Sequence, residues 1–237
     1  MKPTCDVTVA GGGLAGSEAA WQLAERGVRV RLCEMRPLKM TPAHETPLLG
    51  ELVCSNSLGG DRPTTPAGIL KAELKRMGSL IMRCAEASRV PAGNALAVDR
   101  EVFAHLIDSS VANHPNIELA REELTEIPEE PAIIATGPLT SAPMARALAA
   151  LTGEDFLYFY DAVAPIVDVS TVDMTKAFRA NRYGTEGDYI NCPMNEEEYA
   201  VFWKELVNAE TAPRHDFEEE QMRHFDGCLP VEVIAKR

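Results

Sequence analysis

With 237 residues, 46% of them hydrophobic, the chain can bury the core of one or two domains, and no stretch approaches the roughly 20 apolar residues of a membrane span. A net charge of −13 argues against coating nucleic acid by bulk electrostatics, although a local basic groove stays compatible with a nucleic-acid substrate. Cys5, Cys33, Cys54, Cys84, Cys192 and Cys228 form no C-x-x-C pair, so free thiols in a cytoplasmic protein are expected, with neither a zinc site nor a disulfide framework.

Residues 7–34 open the chain with VTVAGGGLAGSEAAWQLAERGVRVRLCE. The apolar run 7–10 suits a buried parallel strand, and Gly11, Gly13 and Gly16 follow it at G-x-G-x-x-G spacing. Glycine at these places permits a tight turn, close approach of backbone to a pyrophosphate, and close packing of helix on strand. Ala15, Ala19, Leu23 and Ala24 recur at helical spacing; Gly27 stops that helix before Val28, Val30 and Leu32 alternate as a second strand. The helix N-terminus favours an anion, so the turn from Gly11 through Gly12, Gly13, Leu14 and Ala15 to Gly16 is a candidate phosphate cradle. Glu34 ends the second strand, where an acid suits hydrogen bonding to an unmodified ribose, as in FAD or NAD.

A loop rich in Pro, Gly, Ser and Thr follows, and within it residues 51–60 read ELVCSNSLGG, which is either a stretch whose Ser55, Asn56 and Ser57 offer donors to a ligand or a polar surface turn. Residues 68–87 read as one helix, with Ile69, Leu70, Leu74, Met77, Leu80 and Ile81 as its apolar stripe and Lys71, Lys75, Arg76 and Arg83 on a solvated face. Residues 90–98 are expected to be extended. Asp99 caps a helix whose stripe is Val102, Leu106 and Ile107, and a short strand is expected at 117–119. A second buried strand, AIIA at 132–135, opens into Thr136 and Gly137, which places backbone beside a ligand at the sheet's edge. A helix over 142–151 ends the first domain, taken as residues 1–150.

Residues 151–237 read as a second domain. It holds an aromatic cluster at 156–160, a proline-containing strand at 162–169, and a loop-like stretch at 178–189 in which Arg179, Arg182 and Tyr183 lie close together. An acidic helix starts at Asn195. The last segment offers no concluding element, so the sequence looks cut short of the strands that would complete its first sheet. The expected fold is α/β: a Rossmann-like domain that binds a dinucleotide, FAD or NAD, with an inserted α+β domain.

The blocks ELVCSNSLGG (51–60), VPAGNALAVDRE (90–101), IIATGPLTS (133–141) and FDGCLPVEVIA (225–235), together with GGGLAG, resemble the folate- and FAD-dependent tRNA (uracil-5-)-methyltransferase family. A more distant resemblance is to the flavoproteins that modify the wobble uridine of tRNA. The closer one implies formation of 5-methyluridine in the tRNA T-loop, with FAD as cofactor, NADH or NADPH as reductant and methylenetetrahydrofolate as carbon donor. It places the catalytic cysteines at Cys54 and Cys228, the latter as the nucleophile toward uracil C6, a role for which a thiolate is well suited. Gly227 and Pro230 suggest a constrained turn around Cys228, and His224 is a candidate base. Asp99 and Arg100 either resemble a flavoprotein element near the cofactor or form an ordinary helix cap. The glycine turn alone also fits a flavin or nicotinamide oxidoreductase of a small molecule, or a fragment without catalysis.

Overall fold

The computed structural model describes residues 5–53, 55–153, 167–181, 184–210 and 231–236. The chain divides into two units, Met1–Phe159 and Tyr160–Arg237. The first runs β1 (Val7–Ala10), α1 (Leu14–Ala24), β2 (Val30–Glu34), β3 (Ser57–Gly60), α2 (Pro66–Arg76), α3 (Leu80–Ala87), β4 (Arg89–Val90), β5 (Ala95–Val98), α4 (Arg100–Ala112), β6 (Ile117–Arg121), β7 (Ala132–Ile134) and α5 (Ala142–Thr152).

Four strands form a parallel sheet in the order β6-β2-β1-β7, with Val9 opposite both Leu32 and Ile133. This is a Rossmann-like arrangement: parallel neighbours need helical crossovers, and α1 supplies the one between β1 and β2. Val9, Val30 and Leu32 are at most 1% exposed because they sit on central strands, and Trp21, Leu80, Phe103, Ile107 and Val111 from α1, α3 and α4 complete the core. A second, antiparallel sheet in the order β3-β5-β4 grows out of the excursion between β2 and β6.

Several expectations change. The helix expected over residues 68–87 is two helices, because Gly78 adopts φ +73° while the N–H groups of Gly78 and Ser79 bond back to the carbonyls of Lys75 and Leu74, closing α2. Ser79 then caps α3, its hydroxyl oxygen accepting from Met82 N at 3.1 Å and its O–H donating to Glu18 on α1 at 2.9 Å. Lys71 is not on a solvated face. It is 8% exposed, and its Nζ donates to Gly60 O at 3.0 Å, whereas Ile69, Leu70 and Met77 of the expected stripe are exposed. Residues 90–98, expected to be extended, are so over β5, which pairs antiparallel with β4 across a turn at residues 93–94. Asp99 does cap α4, accepting from Val102 N at 3.0 Å, but the buried face is Phe103, Ala104, Ile107 and Val111, with Val102 outside. The AIIA strand is a sheet edge, so Ile133 keeps 37% of its surface rather than being buried.

The second unit shows a 3-10 turn at Val169–Thr171, β8 (Phe178–Asn181), β9 (Gly184–Asn191), α6 (Glu196–Asn208) and α7 (Val231–Lys236). β8 and β9 pair antiparallel, so the stretch read as a loop is a hairpin; Arg182 and Tyr183 lie outside the described residues, as does the aromatic cluster at 156–160. Val169, expected to end a strand, opens the 3-10 turn, and residues 162–166 of that expected strand also lie outside the described residues. Asn195 and Glu198 form a capping box at α6. The concluding segment does carry an element, α7, and Trp203 Nε1 donates to its Ala235 O at 2.7 Å. Among the described residues no helix is long and apolar enough to cross a membrane.

Ser79→Ala removes the α3 cap and leaves Glu18 with one donor fewer, so the first unit should lose about 1–2 kcal/mol. A melting curve that matched the unsubstituted chain would contradict this account of the α2–α3 junction.

Candidate functional site

At the carboxyl ends of β1, β2 and β7 the first unit opens a cleft of about 310 Å³. Its lining includes Gly11, Gly13, Leu14, Ala15, Glu34, Thr136 and Gly137 of the residues singled out from sequence, and it also takes in Cys33, Arg36, His44, Val53, Met144 and residues 122–124. Ligands of open parallel sheets bind at this place, outside the strand ends.

The glycine turn divides its work. Gly11 has φ +96°, and a Cβ there would stand 2.6 Å from Ala135 O, so the turn can press against the end of β7 only without a side chain. A Cβ at Gly16 would fall 1.8 Å from Gly11 O, which is how α1 comes so close to the strand it follows. Gly12 is hemmed in behind the cleft by Leu49 Cδ2 and Glu34. Gly13 differs: a Cβ built there meets nothing within 4 Å, and Gly13, the N-cap of α1, brings no side-chain cap to the helix's first N–H groups. The backbone is open on the cleft side, as a pyrophosphate requires.

Glu34 is 6% exposed and accepts three hydrogen bonds. Oε2 accepts from Gly12 N at 2.8 Å, while Oε1 accepts from Arg36 N and Arg36 Nε, both at 3.0 Å. A carboxylate has about four acceptor sites, so roughly one is left for a ribose hydroxyl. Burial pushes the Glu34 carboxyl up, but the Arg36 guanidinium and the two backbone N–H groups outweigh it and hold the pKa below the ordinary glutamate value. Arg36, 2% exposed, also donates through Nη1 to Glu51 Oε2 at 3.0 Å and Thr46 O at 3.2 Å. His44 lines the same end; burial and then the Arg36 charge lower its pKa, so it is neutral at physiological pH.

Cys33 stands at the cleft as a protonated thiol. Burial first, then the hydrogen bond and charge of Glu122, push its pKa up to about 12. It is therefore no nucleophile near neutral pH. Gly12 and Gly16 shape the turn without lining the cleft, and the exposed Ser55 and Asn56 before β3 and Ser57 at its start do not line it either. Arg100 does not line the cleft; its Nη1 donates to Leu52 O at 3.2 Å. Cys54, Cys228, His224, Gly227 and Pro230 lie outside the described residues. Sequence reasoning missed Arg36, Glu51 and His44. The available signal was an arginine two residues beyond the strand-ending acid, where the turn after β2 lets both its backbone N–H and its Nε fold back onto the Glu34 carboxylate.

Arg36→Met would strand two buried carboxylates and should cost about 3–5 kcal/mol at neutral pH. The sign with pH follows from Glu34: its depressed folded pKa contributes stability present above the unfolded value and lost as pH falls through the folded one. The gap between the two proteins in thermal melts should therefore be widest near pH 7 and shrink in acid, once Glu34 is protonated. A gap independent of pH would contradict the ionic origin of the effect.

The family described as glucose inhibited division protein A matches residues 6–237 of this chain. The chain is 56% identical over 233 residues to the methylenetetrahydrofolate–tRNA-(uracil-5-)-methyltransferase TrmFO of Anoxybacillus flavithermus (strain DSM 21510 / WK1), a match covering 98% of this chain and 54% of that protein. It is 58% identical over 233 residues to the protein of the same name from Rubrobacter xylanophilus (strain DSM 9941 / JCM 11954 / NBRC 16129 / PRD-1), covering 98% and 52%. Among solved structures it is similar to Aquifex aeolicus GidA in the form I crystal, with a TM-score of 0.46 and 18% identity over 56% of this chain and 25% of that one. The chain spans about half the length of the curated relatives it matches. With a family match that leaves out only the first few residues, the chain belongs to the family described as glucose inhibited division protein A.

Proposed function

We propose that this chain carries the FAD-binding part and a uracil-facing part of a folate- and FAD-dependent tRNA (uracil-5-)-methyltransferase, which forms 5-methyluridine in the T-loop of tRNA. The observation that supports a nucleotide in the cleft is the pairing of an open backbone at Gly13 with an anionic Glu34 at the strand ends. The reaction is drawn from the names of relatives 56–58% identical along 98% of the chain. A small-molecule oxidoreductase would use the same cleft but leaves that identity without a reason.

In this reading Gly11, Gly13, Leu14 and Ala15 bring backbone to the pyrophosphate of FAD, and the positive end of α1 offsets its charge. Glu34 takes a hydrogen bond from the ribose. Thr136 and Gly137 close the cleft from the β7 side, where the Thr140 hydroxyl braces Gly137 O at 2.6 Å. Gly12 and Gly16 act from behind by letting Glu34 and α1 pack against the turn. Ser55, Asn56 and Ser57 offer their exposed hydroxyl and amide groups to the ligand beyond the nucleotide.

FAD, reduced by NADH or NADPH, supplies the electrons that turn a methylene group from methylenetetrahydrofolate into a methyl group. Cys228 is assigned as the nucleophile. Its thiolate adds to uracil C6 and makes C5 electron-rich enough to take the one-carbon unit. Cys54, the next residue after the cleft-lining Val53, assists removal of the C5 proton so that the Cys228 thiolate can leave. Residues 1–150 are assigned to the FAD-binding domain and 151–237 to an inserted domain on the tRNA side. The cytoplasm is assigned as the location, where both tRNA and folate are met.

Two outcomes test this. Gly13→Ala puts a methyl group into open cleft without touching the protein, so FAD should bind at least about tenfold more weakly while the melting temperature of the FAD-free chain stays unchanged. In the full-length protein, Cys228→Ala should keep the yellow flavin absorbance and lose methyl transfer from methylenetetrahydrofolate to a T-loop uridine. Transfer at the unsubstituted rate would remove Cys228 from its assigned role.

A further inference from the structure

Arginine close behind the acid of a dinucleotide-binding strand is the residue that accommodates a ribose 2′-phosphate in NADP-binding proteins. Arg36 stands two residues after Glu34 and lines the cleft, yet its fork is already committed. The Nε hydrogen is given to Glu34 Oε1 at 3.0 Å; the two Nη1 hydrogens are given to Glu51 Oε2 at 3.0 Å and Thr46 O at 3.2 Å. Only Nη2 is left, so neither edge of the fork can grip a phosphate with two parallel bonds. Glu51 is itself held in place. Its Oε2 accepts from Thr46 N at 3.1 Å and Thr46 Oγ1 at 2.8 Å, and its Oε1 accepts from Glu45 N at 2.9 Å. Two carboxylates thus share one guanidinium, with side chains 7%, 13% and 2% exposed for Glu34, Glu51 and Arg36, and this end of the cleft carries net negative charge.

We propose that Glu51 is a specificity-determining residue of the cleft. By holding Arg36 in a cluster of two carboxylates and one guanidinium, it withholds the guanidinium from phosphate, so an adenine nucleotide with a free ribose 2′-hydroxyl is accepted and a 2′-phosphorylated one is refused. This rests on the nucleotide reading of the cleft and goes beyond it: Glu34 alone favours a free hydroxyl, whereas Glu51 decides what Arg36 is able to do. A consequence is that NADPH, carrying a 2′-phosphate, does not compete with FAD for this site.

The test titrates 5′-ADP and adenosine 2′,5′-bisphosphate by calorimetry into the unsubstituted chain, Glu51→Gln and Thr46→Val, with a melting curve for each. The unsubstituted chain should prefer 5′-ADP by about 100-fold or more. In Glu51→Gln the Glu34–Arg36 pair remains, and the preference should narrow by about tenfold, chiefly through tighter bisphosphate binding. Thr46→Val, which takes away the hydroxyl that donates to Glu51 and accepts from Leu48 N at 3.3 Å, should narrow it less and in the same direction; it carries the test if Glu51→Gln does not fold. Adding Arg36→Gln to Glu51→Gln should abolish the gain, because no guanidinium is then left to recruit. Equal weakening of both ligands, or an unchanged preference, would assign Glu51 a purely structural part and overturn the inference. Failure of the unsubstituted chain to bind 5′-ADP at all would instead remove the nucleotide reading, and the inference with it.

Discussion

A guanidinium almost wholly shut off from water is the constraint on which the candidate site depends. A charge in that position costs several kcal/mol unless its hydrogen bonds are supplied, and Glu34, Glu51 and Thr46 supply them to Arg36. The same bonds join pieces of chain that are far apart in function. Glu34 reaches forward to the glycine turn through Gly12 N, and Glu51 reaches back to the loop through Thr46 and Glu45. Arg121 at the end of β6 continues the connection, donating to the carbonyls of Arg36 and Pro47 and to Asp108 on α4, whose carboxylate also accepts from Leu49 N. Strand end, turn and loop therefore form one hydrogen-bonded body, and the acid that faces the cleft has little freedom to turn away.

Rigidity of that kind matters for binding a dinucleotide. A carboxylate already ionised and already oriented needs no rearrangement when a ribose arrives, so less of the interaction energy is spent on ordering. The glycine turn follows the same logic in its backbone. Gly11, Gly12 and Gly16 are required by close neighbours within the protein, and Gly13 is the position where the space belongs to a ligand. A motif usually described as one phosphate-binding device is here three packing constraints and one open door.

Part of the fold was legible because it is governed by local rules. The order β1, turn, α1, β2 and acid follows from hydrophobic period and glycine placement, and the caps at Asp99 and Asn195 follow from side chains that bond within their own first turn. Local rules also explain the misreadings. An apolar stripe over residues 68–87 was continuous on a helical wheel, but the wheel takes no account of Gly78 closing one helix and Ser79 starting another against Glu18. Lys71 resembled every other surface lysine until β3 brought Gly60 O over it. The hairpin of β8 and β9 depends on pairing between two segments, neither of which alternates clearly by itself.

The sequence by itself determined that a parallel sheet begins with a nucleotide-binding turn, because glycine spacing, strand hydrophobicity and a terminal acid are all properties of one short stretch. It also carried the resemblance on which Cys54 and Cys228 are assigned. Only the tertiary structure decided that Glu34 is held by Arg36 and that Arg36 is claimed by Glu51, since residues 34, 36 and 51 meet only when the loop after β2 folds back over the strand end. The physical reason is that ionisation and orientation of a buried group are set by its neighbours in space, and a sequence records neighbours only along the chain.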